Sequence, residues 1–263
     1  EAADLLKESA AKLLELQSIA DWQNELLLQA PPILWFGNSK SEKPKILTFG
    51  ANPSRSEFLS KNKEYLVTPR FYHLSENQTY EDIVKSPQVC ESIIASYDSY
   101  FETNPYTTWF GNKVKNPYKV EAVLRGMNAS YYNTPENFEA RYQAGHIDIF
   151  PFATMSDFSK IKKTTERDIL ANDWAKNLVD NLIEMLNPDK ILVFGLTNVN
   201  YFFKYFGIDK GPPERNLCKI WNRTYRNRHL IGISTNLGDP RNFSRARLNE
   251  LGETLNNLRK TEE

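Results

Sequence analysis

Three short stretches of this 263-residue chain carry side chains whose types and placement suit chemistry. The first is Gly50-Ala51-Asn52-Pro53-Ser54, which follows the apolar run at residues 46–49. Gly50 permits backbone angles and a close approach that a Cβ would obstruct. Pro53 fixes φ and stiffens the turn, so the carboxamide of Asn52 is held in a rigid loop. The plainer use of such a residue is an Asx turn that caps its own loop. The second stretch is the apolar run at residues 146–150, which contains Asp148. An ionised carboxylate only accepts hydrogen bonds, whereas a carboxamide donates and accepts. The plainer reading of Asp148 is a strand-end acid satisfied by backbone donors. The third stretch is the loop at residues 235–244, followed by Arg245 and Arg247. Between residues 204 and 247 there are ten Lys/Arg and three acids. On a chain whose formal charges balance, that cluster is either a local footprint for phosphate or a solvated face.

The elements that must position these residues follow from hydrophobic spacing. Residues 2–29 have apolar side chains at helical intervals and stop at Pro31-Pro32. Helical patterns recur at 80–100, 120–127, 165–186 and 198–206, and after Ser244, which is placed to cap a last helix. Residues 51–80 read as loop, and so does the charged segment up to residue 228. Short continuous apolar runs at 45–49, 146–150, 190–194 and 229–234 read as strands. Such runs between helices imply a parallel sheet covered on both faces. Right-handed crossovers then bring the four strand ends to one edge, where open α/β sheets bind ligands. His146 and His229 are expected to precede their strands and to serve structure.

Composition narrows the classes. The charged fraction (25%) and the apolar fraction (40%) are those of an ordinary globular chain. Cys90 and Cys218 make no disulfide framework, zinc ribbon or four-cysteine cluster. No phosphate-binding P-loop, Gly-x-Gly-x-x-Gly fingerprint or His-Glu-x-x-His pair is present. No cofactor and no metal is expected. The first residues lack the pattern of a secretory signal, and no apolar run reaches membrane-spanning length. The expected setting is cytoplasmic, with no membrane partner and no obligate protein partner.

The run Gly50-Ala51-Asn52-Pro53-Ser54 resembles the first motif of the uracil-DNA glycosylase superfamily, Gly-x-(Asp/Asn)-Pro-(Tyr/Gly/Ser). The likeness extends over roughly residues 45–258: first motif after the first strand, a base-reading residue ending the second, a further motif loop after the last. The fold it implies is α/β, a three-layer α/β/α sandwich around a central four-stranded parallel sheet. One domain of residues 1–263 would have residues 1–40 as an N-terminal helical extension packed on it.

The resemblance implies a monofunctional DNA glycosylase that flips a base out of DNA and hydrolyses its bond to the sugar. Asn52 would orient the attacking water, as in members with asparagine rather than aspartate at this place. Gly50 and Ala51 would line the base site. Asp148 stands where the family has a base-reading asparagine. Because Asp or Glu is the natural partner of the cytosine N4 donor, it favours a cytosine-type base over uracil. Ser54 occupies the place where uracil-specific members block a C5 methyl group with tyrosine, so it leaves room for a C5 substituent. Together they point to a C5-modified cytosine, such as the hydroxymethylcytosine of phage DNA with or without a sugar. Tyr65 or Phe71 would stack on the base. The last loop departs from the family: its usual His-Pro-Ser is absent, and Asn236 is the substitute catalytic donor. Arg55, Arg241, Asn242, Phe243, Arg245 and Arg247 would contact DNA. Uracil repair, processing of a free nucleoside and a non-catalytic nucleic-acid binder are the rival expectations.

Overall fold

The apolar runs become neighbouring strands because each can bury both of its faces. A computed structural model describes residues 1–68, 70–111, 118–132, 138–241 and 243–260. Its strands are β1 (Lys45–Gly50), β2 (Ala129–Ser130), β3 (Tyr142–Asp148), β4 (Lys190–Phe194), β5 (Glu214–Arg215), β6 (Lys219–Tyr225) and β7 (Arg228–Ile233). They form one sheet in the order β2-β3-β1-β4-β7-β6-β5. The pairs β2–β3, β1–β4 and β4–β7 are parallel, and β7–β6 and β6–β5 are antiparallel. With ten α-helices among the described residues, the fold is mixed α/β on a mostly parallel sheet. Every residue of β1 after Lys45 is buried, as is every residue of β4 after Lys190, which only a sheet covered on both faces allows.

Several expectations need correction. The sheet has seven strands rather than four; the four expected ones occupy its consecutive positions β3-β1-β4-β7. The second strand starts earlier than residue 146 and ends at Asp148, so His146 lies inside β3 and His229 inside β7. The charged segment before residue 228 contains β5 and β6. The helix read over residues 2–29 stops at Gln17, with a single further turn at Ala20–Gln23. The pattern over 80–100 is two helices, Tyr80–Lys85 and Pro87–Asp98. The pattern over 165–186 is α-helix Phe158–Thr165, a π-helical turn Glu166–Leu170 and α-helix Trp174–Leu186.

The chain divides into two compact units. One comprises Glu1–Phe36, Ala51–Asn104 and Ile147–Met185; the other comprises Gly37–Gly50, Pro105–His146 and Leu186–Glu263. The first unit is built on an aromatic cluster. Phe71 stacks on Tyr100 with ring centres 4.6 Å apart, and Phe36 meets both edge-on at 5.0 Å. Burying each such ring stabilises by about 1.5–3 kcal/mol. The N-terminal helix packs on the helices Tyr80–Lys85 and Pro87–Asp98. Residues 25–33 strap the segment after β3. Leu27 N–H donates to the Ala153 carbonyl (3.4 Å), Ile33 N–H to that of Pro151 (2.7 Å) and Met155 N–H to that of Glu25 (2.8 Å).

The second unit holds the sheet apart from the last two residues of β3. Phe49 of β1 meets Phe202 edge-on at 4.6 Å, tying the sheet to the helix Leu196–Tyr205. The helices Lys119–Gly126 and Arg245–Asn257 cross at a pair of glycines. A Cβ at Gly252 would sit 2.0 Å from the Val123 carbonyl oxygen, and one at Gly126 would sit 2.1 Å from that of Asn249. Backbone contact this close excludes any other residue at the crossing.

Candidate active site

In the first unit, the loop after β1 and the segment after β3 run side by side, with Phe150 N–H donating to the Ala51 carbonyl at 3.0 Å. Asn52 and Asp148 therefore lie on adjacent stretches of chain. The half-buried Asn52 has its amide nitrogen fixed. Nδ2 donates to Thr154 Oγ1 at 3.0 Å and lies 3.3 and 3.4 Å from the carbonyl oxygens of Pro53 and Phe152. Thr154 sends its single hydroxyl proton to the Ser156 carbonyl at 2.8 Å, so toward Asn52 it accepts. All three neighbours of Nδ2 are then acceptors, which dictates the amide's orientation. Among the described residues, Asn52 Oδ1 accepts no hydrogen bond. Asn52 is thus held by the facing segment rather than closing an Asx turn on its own loop.

Ser54 accepts from Ser56 N–H at 3.2 Å and caps the short helix Arg55–Glu57, while Ser54 itself remains exposed. It pairs with Thr154 in an isolated bridge. Exposed Arg55 donates to the Met155 carbonyl at 3.0 Å. The strap residue Glu25 accepts from Ser156 N–H and Oγ at 3.0 and 2.9 Å. These contacts hold the segment that fixes Asn52. Trp22, Phe150, Phe152 and Ile161 pack beside Asn52 and leave a gap too small to admit a water. Trp22 is held by its indole N–H donating to Asp168 at 2.8 Å.

Asp148 ends β3 and is 4% exposed. Close by lies a residue that sequence reasoning missed. Glu57 is buried, its Oε2 accepts from the Tyr100 hydroxyl at 2.8 Å, and Arg70 Nε stands 4.0 Å from the same oxygen. Burial, with a smaller push from the Asp148 charge, raises the Glu57 pKa to about 8, against the pull of Tyr100 and Arg70. Glu57 is therefore neutral at pH 7. Desolvation penalises the charged form, and a second carboxylate nearby adds to that penalty. The only sequence signal was Ser54-x-x-Glu57, which reads as a capping box. The side chain turns inward to Tyr100 instead.

The two aromatic candidates separate. Tyr65 is half-buried, and its hydroxyl accepts from Gln29 N–H at 3.1 Å. Its ring centre lies 5.4 Å from that of His73. Burial raises the Tyr65 pKa and lowers that of His73, whose buried Nε2 has no hydrogen-bond partner among the described residues. Phe71 is 2% exposed inside the aromatic cluster. It is a core side chain, contrary to expectation, and has no open face on which a base could stack.

The second unit holds Gly50, the last residue of β1, and the remaining candidates. Asn236 is exposed, and its Oδ1 accepts from Gly238 N–H at 3.1 Å. Arg241 is 83% exposed and pairs with its neighbour Asp239 at 2.7 Å, which cancels much of its charge. The Arg247 guanidinium lies 5.7 Å from the centre of the Phe243 ring. Ser244 caps the helix Arg245–Asn257 by accepting from Arg247 N–H at 3.3 Å, which leaves Arg245 and Arg247 exposed in its first turn. Asn242 lies outside the described residues. His146 is buried and bonds Thr48 Oγ1 through Nδ1 at 2.8 Å. His229 Nε2 lies 2.8 Å from Asn222 Oδ1, and burial together with Lys190 and Lys260 lowers its pKa to about 4.

Among the described residues, no group of three His, Cys, Asp or Glu is placed to hold a metal ion, and no helix is long and apolar enough to cross a membrane. Both cysteines are free thiols. No family model matches the chain, and no curated protein matches it in sequence.

Proposed function

We propose that this chain is a monofunctional DNA glycosylase acting on a base of the cytosine type, most simply a C5-modified cytosine of phage DNA. The observation that carries this reading is the orientation of Asn52. With Nδ2 committed to Thr154, Oδ1 is left to accept from one water and aim its lone pair at a sugar carbon. Loss of the base leaves an oxocarbenium-like sugar that such a water can attack. The buried carboxylate of Asp148, on the adjacent segment, supports recognition of an amino group on the base. Exposed Ser54 supports tolerance of a substituent at C5, and half-buried Tyr65 is the stacking surface.

In this reading the sheet is the parallel core of an uracil-DNA-glycosylase-like three-layer sandwich, extended at its edges by β2, β5 and β6. Arg245 and Arg247, in the first turn of the last helix, contact DNA phosphates. Arg55 adds a further cation. The protein would act in the cytoplasm, on DNA and without an obligate partner. The test compares three duplexes for alkali-labile abasic sites: one with 5-hydroxymethylcytosine or its glucosylated form, one unmodified and one with uracil. Product is expected from the modified duplex alone. Asp148→Asn should move preference toward uracil by about 10- to 100-fold, the discrimination typical of one well-placed base contact. Equal cleavage of the uracil duplex by the unaltered protein would overturn the assignment of Asp148.

A further inference from the structure

The residues that hold Asn52 do not end at Thr154; the series continues into the N-terminal segment. Leu26 and Thr154 form an antiparallel bridge, and Ser54 and Thr154 a parallel one. Thr154, 3% exposed, therefore stands between the N-terminal strap and the loop that carries Asn52. Its hydroxyl proton goes to the Ser156 carbonyl at 2.8 Å, and its oxygen accepts from Asn52 Nδ2 at 3.0 Å. Ser156 is pinned in turn. Its N–H and its hydroxyl donate to the two carboxyl oxygens of Glu25, at 3.0 and 2.9 Å. The backbone of Glu25 is tied separately, its carbonyl accepting from Met155 N–H at 2.8 Å.

The bonds in this series all run one way: Asn52 donates to Thr154, Thr154 to Ser156 and Ser156 to Glu25. A hydroxyl has one proton, so its direction at Thr154 decides the direction at Asn52. A buried hydroxyl that loses its acceptor has to find another. If the Ser156 carbonyl moves away, a half-turn of the Asn52 amide supplies one. The side chains packed beside Asn52 and Thr154 leave no room for a water to do so instead.

We propose that Glu25 is a positioning residue for the reaction: through Ser156 and Thr154 it keeps the Asn52 amide nitrogen bound and its oxygen free to orient water. The inference rests on the reading of Asn52 as the residue that orients the attacking water. Its consequence is that the segment ahead of residues 45–258, the stretch that resembles the glycosylases, supplies part of the machinery. With Oδ1 outward, the water gives up a proton to the amide and keeps a lone pair for the sugar carbon. With the amide reversed, an N–H occupies a lone pair that the attack needs.

The test compares Glu25→Ala and Glu25→Gln with the unaltered protein. Both keep the backbone bond to Met155, so the strap stays in place. Alanine removes both acceptors. Glutamine restores a pair, its oxygen accepting from Ser156 N–H and its amide donating to the Ser156 hydroxyl, which rotates to accept. One readout is single-turnover release of 5-hydroxymethylcytosine from duplex DNA, with binding measured on a duplex whose modified nucleotide carries a 2′-fluorine to resist cleavage. The other is solvent exchange of the Asn52 side-chain amide protons, followed by NMR on the free protein. For Glu25→Ala the rate should fall by about 10²-fold, the scale of a mispositioned reacting group. Binding should hold, the Asn52 amide protons should exchange markedly faster, and Glu25→Gln should recover most of the lost rate. A Glu25 that only supports the fold would lower the melting temperature and leave rate and exchange as they were. Unaltered exchange or an unaltered rate in Glu25→Ala would overturn the proposal while leaving the glycosylase reading intact. If the unaltered protein releases no base from any duplex, the glycosylase reading itself fails, and this assignment fails with it.

Discussion

Replacing Glu57 with glutamine should raise the stability of the protein at pH 9 by on the order of 4 kcal/mol and leave it nearly unchanged at pH 4. The sign follows from where the proton resides. The Glu57 carboxyl titrates near 4.5 when exposed and near 8 when folded. Below pH 4.5 it is protonated in both states and exerts no pull on the equilibrium. Between 4.5 and about 8 the unfolded chain ionises while the folded one does not, so stability falls as pH rises. Above 8 the loss is constant. Each unit of displacement corresponds to about 1.4 kcal/mol. Glutamine has nearly the same shape and an oxygen able to accept from Tyr100, but no ionisation to suppress. Denaturant midpoints at pH 4, 7 and 9 check this, and parallel pH profiles for the two proteins would show that Glu57 is not held neutral.

The second large effect is on rate. Asn52→Ala should lower base release by about 10²–10⁴-fold, the range typical of removing a positioned acid–base or water-orienting group. That corresponds to roughly 3–5 kcal/mol of barrier. DNA binding should be unaffected, and stability should drop by only about 1 kcal/mol for the lost bond to Thr154. Asn52→Asp should not accelerate the reaction, although related enzymes with aspartate at this place deprotonate the water. Here one carboxylate oxygen would face Thr154 Oγ1 and two carbonyl oxygens. Three acceptors around it oppose ionisation, and the variant should lose about 1–3 kcal/mol of stability at pH 7. Single-turnover assays and denaturation of both variants check the pair. An Asn52→Asp protein faster than the parent would show that the loop is not built for a carboxamide.

The parts of the fold that were legible in the sequence are those decided by local patterns. Continuous apolar runs marked β1, β4 and β7 because strands buried on both faces need no alternation. β6 was hidden because Arg223 and Lys219 dilute its apolar residues and its hairpin lacks the usual turn glycine. Arg226 and Asn227 both take positive φ, 46° and 59°, where Asn-Gly or Asp-Gly is the customary signal. The break between Lys85 and Pro87 has a local signal, because Ser86 caps the second helix and Pro87 begins it. The end of the π-helical turn is marked only by Asn172-Asp173, with Asp173 at φ 59°.

The site divides in the same way. Asn52 stood out because a proline and a glycine flank it within one short loop. Thr154, which fixes its orientation, lies 102 residues away, and no local pattern announces such a partner. Glu57 reads as an exposed cap until Tyr100, 43 residues on, is brought against it. Phe71 misled because stacking platforms and core rings are the same residue types, and only tertiary packing separates them.

The most direct measurement of the central claim is a mass spectrum of the bases released when the protein is incubated with genomic DNA from phages of differing cytosine chemistry. If Asn52 orients a water toward the sugar and Asp148 meets the amino edge of the base, the supernatant contains free C5-modified cytosine and an equal amount of abasic sites appears in the DNA. Neither appears from unmodified genomes or with Asn52→Ala. Free uracil as the main product, or no free base from any genome, would contradict it.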